Sequence, residues 1–309
     1  MGGKINNKVK VRVPATSANI GPGFDSMGIA LGLYNYVTAE ETDEPGVSIN
    51  ILDDSRKFLP SDTSNLIYKS MKRTFDKVKY KPKGLKLTLE NNIMVTRGLG
   101  SSSAGIVGGI VAANVLSGSK LSVNEQLRLA ADIEGHPDNV TPALLGGFTV
   151  NVETKYTIRY VKTELSEDDL RFAALVPNFF LQTKKSRGVL PQSVSLNDAV
   201  YNTGHSALLT ASLISGKYEN IRTAVGDKLH QNYRKRLIPH MDKLFRLCYE
   251  SGALGVYLSG AGPTIIAIIR ASNKAFGCNI SRVLTGRLKD WKLHILKPDN
   301  DGAVVLCRN

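Results

Sequence analysis

Seven consecutive residues, Arg97-Gly98-Leu99-Gly100-Ser101-Ser102-Ser103, carry the densest chemistry in this 309-residue chain. Glycines let a backbone approach a polyanion closely, and the first amides of a following helix point at it without partners of their own. The three hydroxyls can add donors or ligate a cation. The string fits neither GxxxxGK[ST] nor GxGxxG, since position 103 is serine and no lysine follows. Taken alone, it is as compatible with a tight turn as with a phosphate cradle. Two further small-residue loops, Pro14–Asp25 (PATSANIGPGFD) and Leu258–Thr264 (LSGAGPT), make three chance turns less credible. A carboxylate, Glu134, stands next to Gly135-His136-Pro137-Asp138-Asn139.

Together these three loops resemble the signature motifs of the GHMP small-molecule kinases (galacto-, homoserine, mevalonate and phosphomevalonate kinases). Two strings, PATSANIGPGFDSMGIAL at 14–31 and EGHPDNVTPALLGG at 134–147, are similar within that family to the branch acting on L-homoserine. The resemblance spans essentially the whole chain. One departure is Met94, four residues before Gly98, where the family usually carries proline.

The resemblance implies an α+β fold with an N-terminal domain like the second domain of ribosomal protein S5 and a ferredoxin-like C-terminal domain. ATP and Mg²⁺ would lie in the cleft between them. Arg97, Gly98, Leu99, Gly100, Ser101, Ser102 and Ser103 would wrap the phosphates, and Asn65 would sit near the adenine. Glu134 would hold the metal with Ser102 or Ser101; the motif register leaves that choice open. Glu134, Asn19, Ser101 and Ser102 are the residues the resemblance implies for catalysis. Several relatives carry Asp where this chain has Asn139, and an amide cannot usefully accept a proton, so no dedicated base is expected. Homoserine is a zwitterion with a primary alcohol. Asp25 and Asn19 would meet its ammonium, and Arg187 and Arg234 its carboxylate, with Thr183, His136 and Gly260 as further contacts. The implied partners are ATP and L-homoserine, with a homodimer as family precedent. Two other readings compete: a family member phosphorylating another small alcohol such as mevalonate, and a non-catalytic basic module binding RNA.

Elements able to position these groups are visible in the patterning. KVKVRVP at 8–14 alternates as a strand, and MGIALGLYNYVTAEE after the first loop reads as a strand pair. Residues 61–79 form a helix with Ile67, Met71, Phe75 and Val78 on one stripe. GLKLTLENNI is a strand, and an apolar helix starts within 101–104 and ends near Ser117-Gly118. Ser122 and Glu125 have capping-box spacing. GGFTVNVE at 146–153 is a strand; TKYTIRYVKTELSEDD runs on into a charged turn. A strand over 171–179 is followed by helices at about 197–215, 218–230, 239–251 and 272–285. VYLSG, TIIAII, WKLHILK and GAVVLCR are strands. The mixed order favours α+β over a doubly wound parallel sheet, with domains over 1–165 and 166–309.

Composition narrows the classes. Apolar residues at 42% and charged ones at 22% exclude disorder or coiled coil as descriptions of the whole chain. Three widely spaced cysteines, Cys248, Cys278 and Cys307, exclude a disulfide framework and suit a reducing compartment. The opening MGGKINNKVKVRV lacks a signal-peptide core, which makes the cytoplasm the expected location. A net charge of +13 is spread along the chain without an aromatic-interleaved basic segment, so no nucleic acid is expected. Residues 98–119 are uncharged and include Gly105xxxGly109, yet three consecutive serines, Asn114 and six glycines make a buried helix a better account than a membrane span.

Overall fold

The computed structural model describes residues 7–308, so the opening residues 1–6 lie outside it. Strand β1 (Lys8–Ala18) is longer than the 8–14 expected, because PATSA continues the ladder past a register shift at Pro14/Ala15. Its small side chains are buried there, and the first loop shrinks to the residues after Ala18. The expected strand pair is one 16-residue strand, β2 (Met27–Thr42). It pairs with β1 along most of its length, which holds the segment as a single strand.

β3 (Gly46–Ile51), whose alternating VSINI was not singled out in the sequence, pairs in parallel with β4 (Gly84–Asn91). Helix α1 (Leu66–Val78) connects them and turns Ile67, Met71 and Phe75 into the core. It starts five residues inside the expected span because Asn65 caps it, accepting from the Ile67 amide. α2 (Ser101–Leu116) is buried from Ser103 to its end, as an all-round apolar helix must be. Its glycines permit close packing: a Cβ at Gly109 would lie 2.6 Å from the Ile67 carbonyl oxygen, and one at Gly108 2.8 Å from Val37. Backbone approach to α1 and the sheet thus explains the GxxxG. α3 (Val123–Glu134) opens with the expected Ser122/Glu125 capping box and delivers Glu134 at its last turn. The HPDNVTPALL segment folds into α4 (Pro137–Leu145), a helix the patterning did not reveal. β5 (Phe148–Glu153) and β6 (Ile158–Thr163) extend the first sheet from β2.

A second, fully antiparallel sheet has the order β10-β7-β9-β8: β7 (Leu170–Pro177), β8 (Gly255–Leu258), β9 (Ile265–Arg270) and β10 (Trp291–Leu296). Around it run α5 (Thr183–Arg187), α6 (Leu196–Ser215), α7 (Ile221–Ala224), α8 (Gln231–Arg234), α9 (Met241–Glu250) and α10 (Ala275–Val283). The helix expected over 218–230 is replaced by a short 3₁₀ turn and α7, because Asp227 caps the following amides instead of continuing a helix. The final strand β11 (Val304–Arg308) returns to the first sheet and pairs with β1, giving the order β11-β1-β2-β4-β3. The fold is α+β. Among the described residues no helix is long and apolar enough to cross a membrane.

Candidate active site

A cleft of about 380 Å³ lies where the three loops converge, and its size suits a small-molecule ligand. Asn19, Asp25, Asn65, Arg97, Gly98, Gly100, Ser101, Ser102, Glu134, His136, Thr183, Arg187, Arg234 and Gly260 all line it. Two of the sequence candidates do not: Leu99 turns into the core, and Ser103 is buried beneath the helix start.

The loop before α2 is held by its carbonyls. Thr96 O accepts from Leu181 N (3.4 Å), Arg97 O from Thr264 N (3.1 Å), and Leu99 O from Thr16 N (3.1 Å). Gly98 O accepts from the Ser259 hydroxyl (2.5 Å). The first amide bonded back along the helix is Ala104, to Gly100 O at 2.8 Å, so the amides before it have no helical acceptor. β1, the third loop and the segment between β7 and α5 thus fix four successive carbonyls and leave the N–H face of the helix start for an anion. Gly100 sits at φ 68°, and a Cβ there would lie 1.9 Å from Thr16 Oγ1. Arg97 behaves differently from a phosphate ligand: Nε donates to Pro177 O (2.9 Å), and the guanidinium stacks 3.9 Å from the Phe180 ring centre. Asn65 spends its amide on Pro60 O and its oxygen on the helix cap.

Glu134 Oε1 accepts from the Ser102 hydroxyl (2.8 Å) and the Ser103 hydroxyl (2.9 Å). One carboxylate with neighbouring hydroxyls is a hard-oxygen donor set of the kind Mg²⁺ accepts when phosphates and water complete its shell. Among the described residues no group of three His, Cys, Asp or Glu could hold a metal by itself.

The first loop is strained where it meets the cleft, with φ of 69°, 43° and 56° at Asn19, Ile20 and Asp25, values few side chains adopt outside functional sites. Asn19 donates to Gly260 O (2.8 Å) and accepts from the Asp25 amide (3.0 Å). Asp25 and Arg187, assigned to opposite ends of a zwitterion, pair with each other through two parallel bonds of 2.9 and 2.6 Å. Arg234 is 1% exposed and donates to Gly260 O (2.9 Å). Burial, together with the neighbouring Arg187 charge, lowers its pKa to about 10.

Asp138, quoted within its string but given no role, proves to be a buried carboxylate at the cleft. It accepts from His136 Nδ1 (2.7 Å) and Asn139 Nδ2 (3.3 Å), while the Thr16 hydroxyl donates to Asn139 Oδ1 (2.8 Å). Burial pulls the His136 pKa down, but the Asp138 hydrogen bond and charge, with Glu134 nearby, raise it overall. The acid beside His136 was the available signal for this cluster.

A small-molecule kinase is the class that a three-loop cleft with these groups defines. Residues 65–147 match the family model for the GHMP kinases N terminal domain, and residues 209–280 that for GHMP kinases C terminal. The chain belongs to the GHMP kinases, and among them to the homoserine kinases. It is 48% identical over 299 residues, 96% of this chain and 98% of the relative, to homoserine kinase from Clostridium botulinum strain Eklund 17B. The crystal structure of homoserine kinase from Cytophaga hutchinsonii superposes with TM-score 0.87 at 28% identity, covering 99% of both chains. The architecture recurs at greater distance: L. major mevalonate kinase matches with TM-score 0.74 at 17% identity over 96% of this chain and 99% of that one, which shows the fold alone.

Proposed function

We infer that this chain transfers the γ-phosphoryl group of ATP to the side-chain hydroxyl of L-homoserine, the step that commits homoserine to threonine synthesis. The observation that carries the reading is the Arg187–Asp25 fork, which places one guanidinium and one carboxylate across the cleft from the helix start. Their side chains are 36% and 34% exposed, and ion pairs this open are typically worth about 0–1 kcal/mol. A zwitterion can therefore take both partners at little cost, its carboxylate on Arg187 and Arg234 and its ammonium on Asp25 beside Asn19. Thr183, His136 and Gly260 border the same space. Mevalonate has no ammonium for Asp25.

Phosphoryl transfer is mainly positioning and charge neutralisation, and the residues divide that work. The amides of residues 98–103 cradle the phosphates; Asn65 belongs to the side that takes the adenine. Glu134 with Ser102 would hold Mg²⁺, which when bound neutralises the phosphate charge. The acceptor hydroxyl has no free base beside it: Asn139 is an amide, and Asp138 already serves His136 and Asn139. Its proton leaves late, towards the transferred phosphate. We keep the division at residue 165 as the boundary between ATP-binding and C-terminal domains, with β11 crossing back.

The test is ADP release measured with homoserine, serine, mevalonate and galactose. Homoserine should be preferred by orders of magnitude. Equal turnover of mevalonate and homoserine would remove the zwitterion argument.

A further inference from the structure

Behind the acceptor side of the cleft lies a buried histidine that the transfer reaction does not use. His230 is 0% exposed and touches both halves of the acceptor site. On one side its Nδ1 lies 3.0 Å from Arg234 Nη1. A guanidinium can only donate, so Nδ1 must accept. On the other side Nε2 lies 2.8 Å from Gly21 O, which can only accept, so Nε2 must carry the proton. The two neighbours together specify a neutral ring in a single tautomer. Gly21 belongs to the strained loop that presents Asn19 and Asp25. Asp227 anchors the arrangement, taking the His230 amide at 3.0 Å and the Gln231 amide at 2.7 Å. Phe24 packs its ring 5.4 Å from the His230 ring, 5.4 Å from the Arg234 guanidinium and 5.5 Å from that of Arg187.

We propose that His230 is a positioning residue for the acceptor site, a rigid spacer that orients the Arg234 fork through Nδ1 and pins the Asp25-bearing loop through Nε2. The distance between the group that takes the carboxylate and the group that takes the ammonium is then set by one imidazole. This inference rests on the assignment of Arg234 and Asp25 to the zwitterion. Arg234 also donates to Gly260 O (2.9 Å) and to Ser186 O (3.4 Å), and His230 Nδ1 adds a side-chain acceptor to these two carbonyls, completing the set that fixes the fork.

Two substitutions separate the two contacts. In His230→Gln the side-chain amide can still donate towards Gly21 but offers no acceptor at the Nδ1 position. The homoserine KM should rise about 10- to 100-fold, the range for losing a hydrogen bond to a charged group, with the ATP KM within about twofold. In His230→Asn the amide oxygen falls where Nδ1 was but nothing reaches Gly21, so the part of the loss that comes from Arg234 should be recovered and the part that comes from the loop should remain. If Gln raises both KM values together, or neither, or if Asn recovers nothing, His230 is merely structural. Arg234→Lys run in parallel distinguishes the two levels: a raised homoserine KM there with an unaffected His230→Gln enzyme defeats this inference alone. No effect of Arg234→Lys defeats the site assignment itself. Should the variants fail to fold, nitrogen NMR of the ¹⁵N-histidine-labelled wild type still decides. A neutral ring protonated on Nε2, whose signals move with homoserine and not with a non-hydrolysable ATP analogue, is required; an Nδ1-protonated or cationic ring overturns the proposal.

Discussion

The two ends of the cleft are built on opposite principles. At the end proposed for the phosphates the working groups would be backbone amides, and the backbone restraints act on the reverse side of the same peptide units, at the carbonyls of Thr96 to Leu99. At the end proposed for the acceptor they would be long charged side chains, Asp25, Arg187 and Arg234, held by one another, by the buried His230 and by the Gly260 carbonyl. Amides cannot be re-aimed without moving the chain, so that end tolerates little change in shape and asks for few side chains beyond glycine, serine and the Glu134 carboxylate. Guanidinium and carboxylate can be exchanged for other groups, so on the proposed assignment substrate identity would reside at the other end.

If the phosphate end depends on charge at a single carboxylate, Glu134→Gln is the largest break in that contrast. The substitution keeps shape and can still accept from Ser102 and Ser103, yet removes the negative charge a cation would need. Turnover should fall by about 10³-fold or more, the scale of losing a main electrostatic stabiliser, while nucleotide binding measured by calorimetry without turnover changes little. Wild-type turnover in this variant would remove Glu134 from the site.

Arg187→Lys probes the other end. Lysine keeps the charge and loses the fork, so kcat/KM for homoserine should drop roughly 10- to 100-fold with the ATP KM unmoved. The loss is smaller than for Glu134 because Arg234 still grips the carboxylate, and because Arg187 is more than a third exposed. A uniform fall for every alcohol acceptor, charged or not, would show that Arg187 acts on the phosphate instead.

Which of these features the chain announced follows the same division. Backbone sites write themselves into local sequence: glycines, serines and the following apolar run sufficed to locate the loop and the start of α2 at Ser101. The long-range pairings did not. Nothing local reveals that Arg187 lies against Asp25, 162 positions earlier, or that His230 meets Gly21. A single buried histidine has no period and no neighbour pattern. Arg97 was misleading for the converse reason: its place in the loop suggested a phosphate contact, whereas its side chain ties the loop to Pro177. Among the elements, MGIALGLYNYVTAEE read as a strand pair, although tertiary pairing with β1, β4 and β5 keeps it one strand.

Gly100→Ala should have a moderate effect with a definite signature. Alanine at φ 68° costs on the order of 1 kcal/mol, and its Cβ would meet Thr16 Oγ1. The ATP KM should rise about tenfold, with a fall in thermal midpoint of a few degrees. Adding Thr16→Ala removes the colliding oxygen, so the double variant should be more stable than the two single losses would sum to, as neighbouring sites are not additive. Strict additivity would mean that the loop relaxes away from Thr16 without cost.

The smallest effect concerns acid. His136 and His230 sit on the same side of the cleft but are shifted in opposite directions. Burial, against the Asp227 charge and with Arg234 alongside, holds His230 well below the ordinary histidine value. The unfolded chain therefore binds its proton more readily, so the His230 contribution to stability is complete above the ordinary value and declines as pH falls towards the depressed one. His136, raised by Asp138 despite burial, has the reverse sign: its contribution is complete below the ordinary value and is lost as pH rises through the raised one. Urea midpoints measured between about pH 5 and 8 separate them, His230 acting below the ordinary histidine value and His136 above it. His230→Gln should flatten the loss of stability on acidification, because it removes the group that the unfolded state protonates preferentially. His136→Gln should steepen it, because the opposing term disappears. The two slopes should move apart, within the limit of about 1.4 kcal/mol per proton for each pH unit. If His136→Gln flattens the curve instead, Asp138 does not hold the His136 proton in the folded state, and the acid beside the acceptor site is oriented by Asn139 alone.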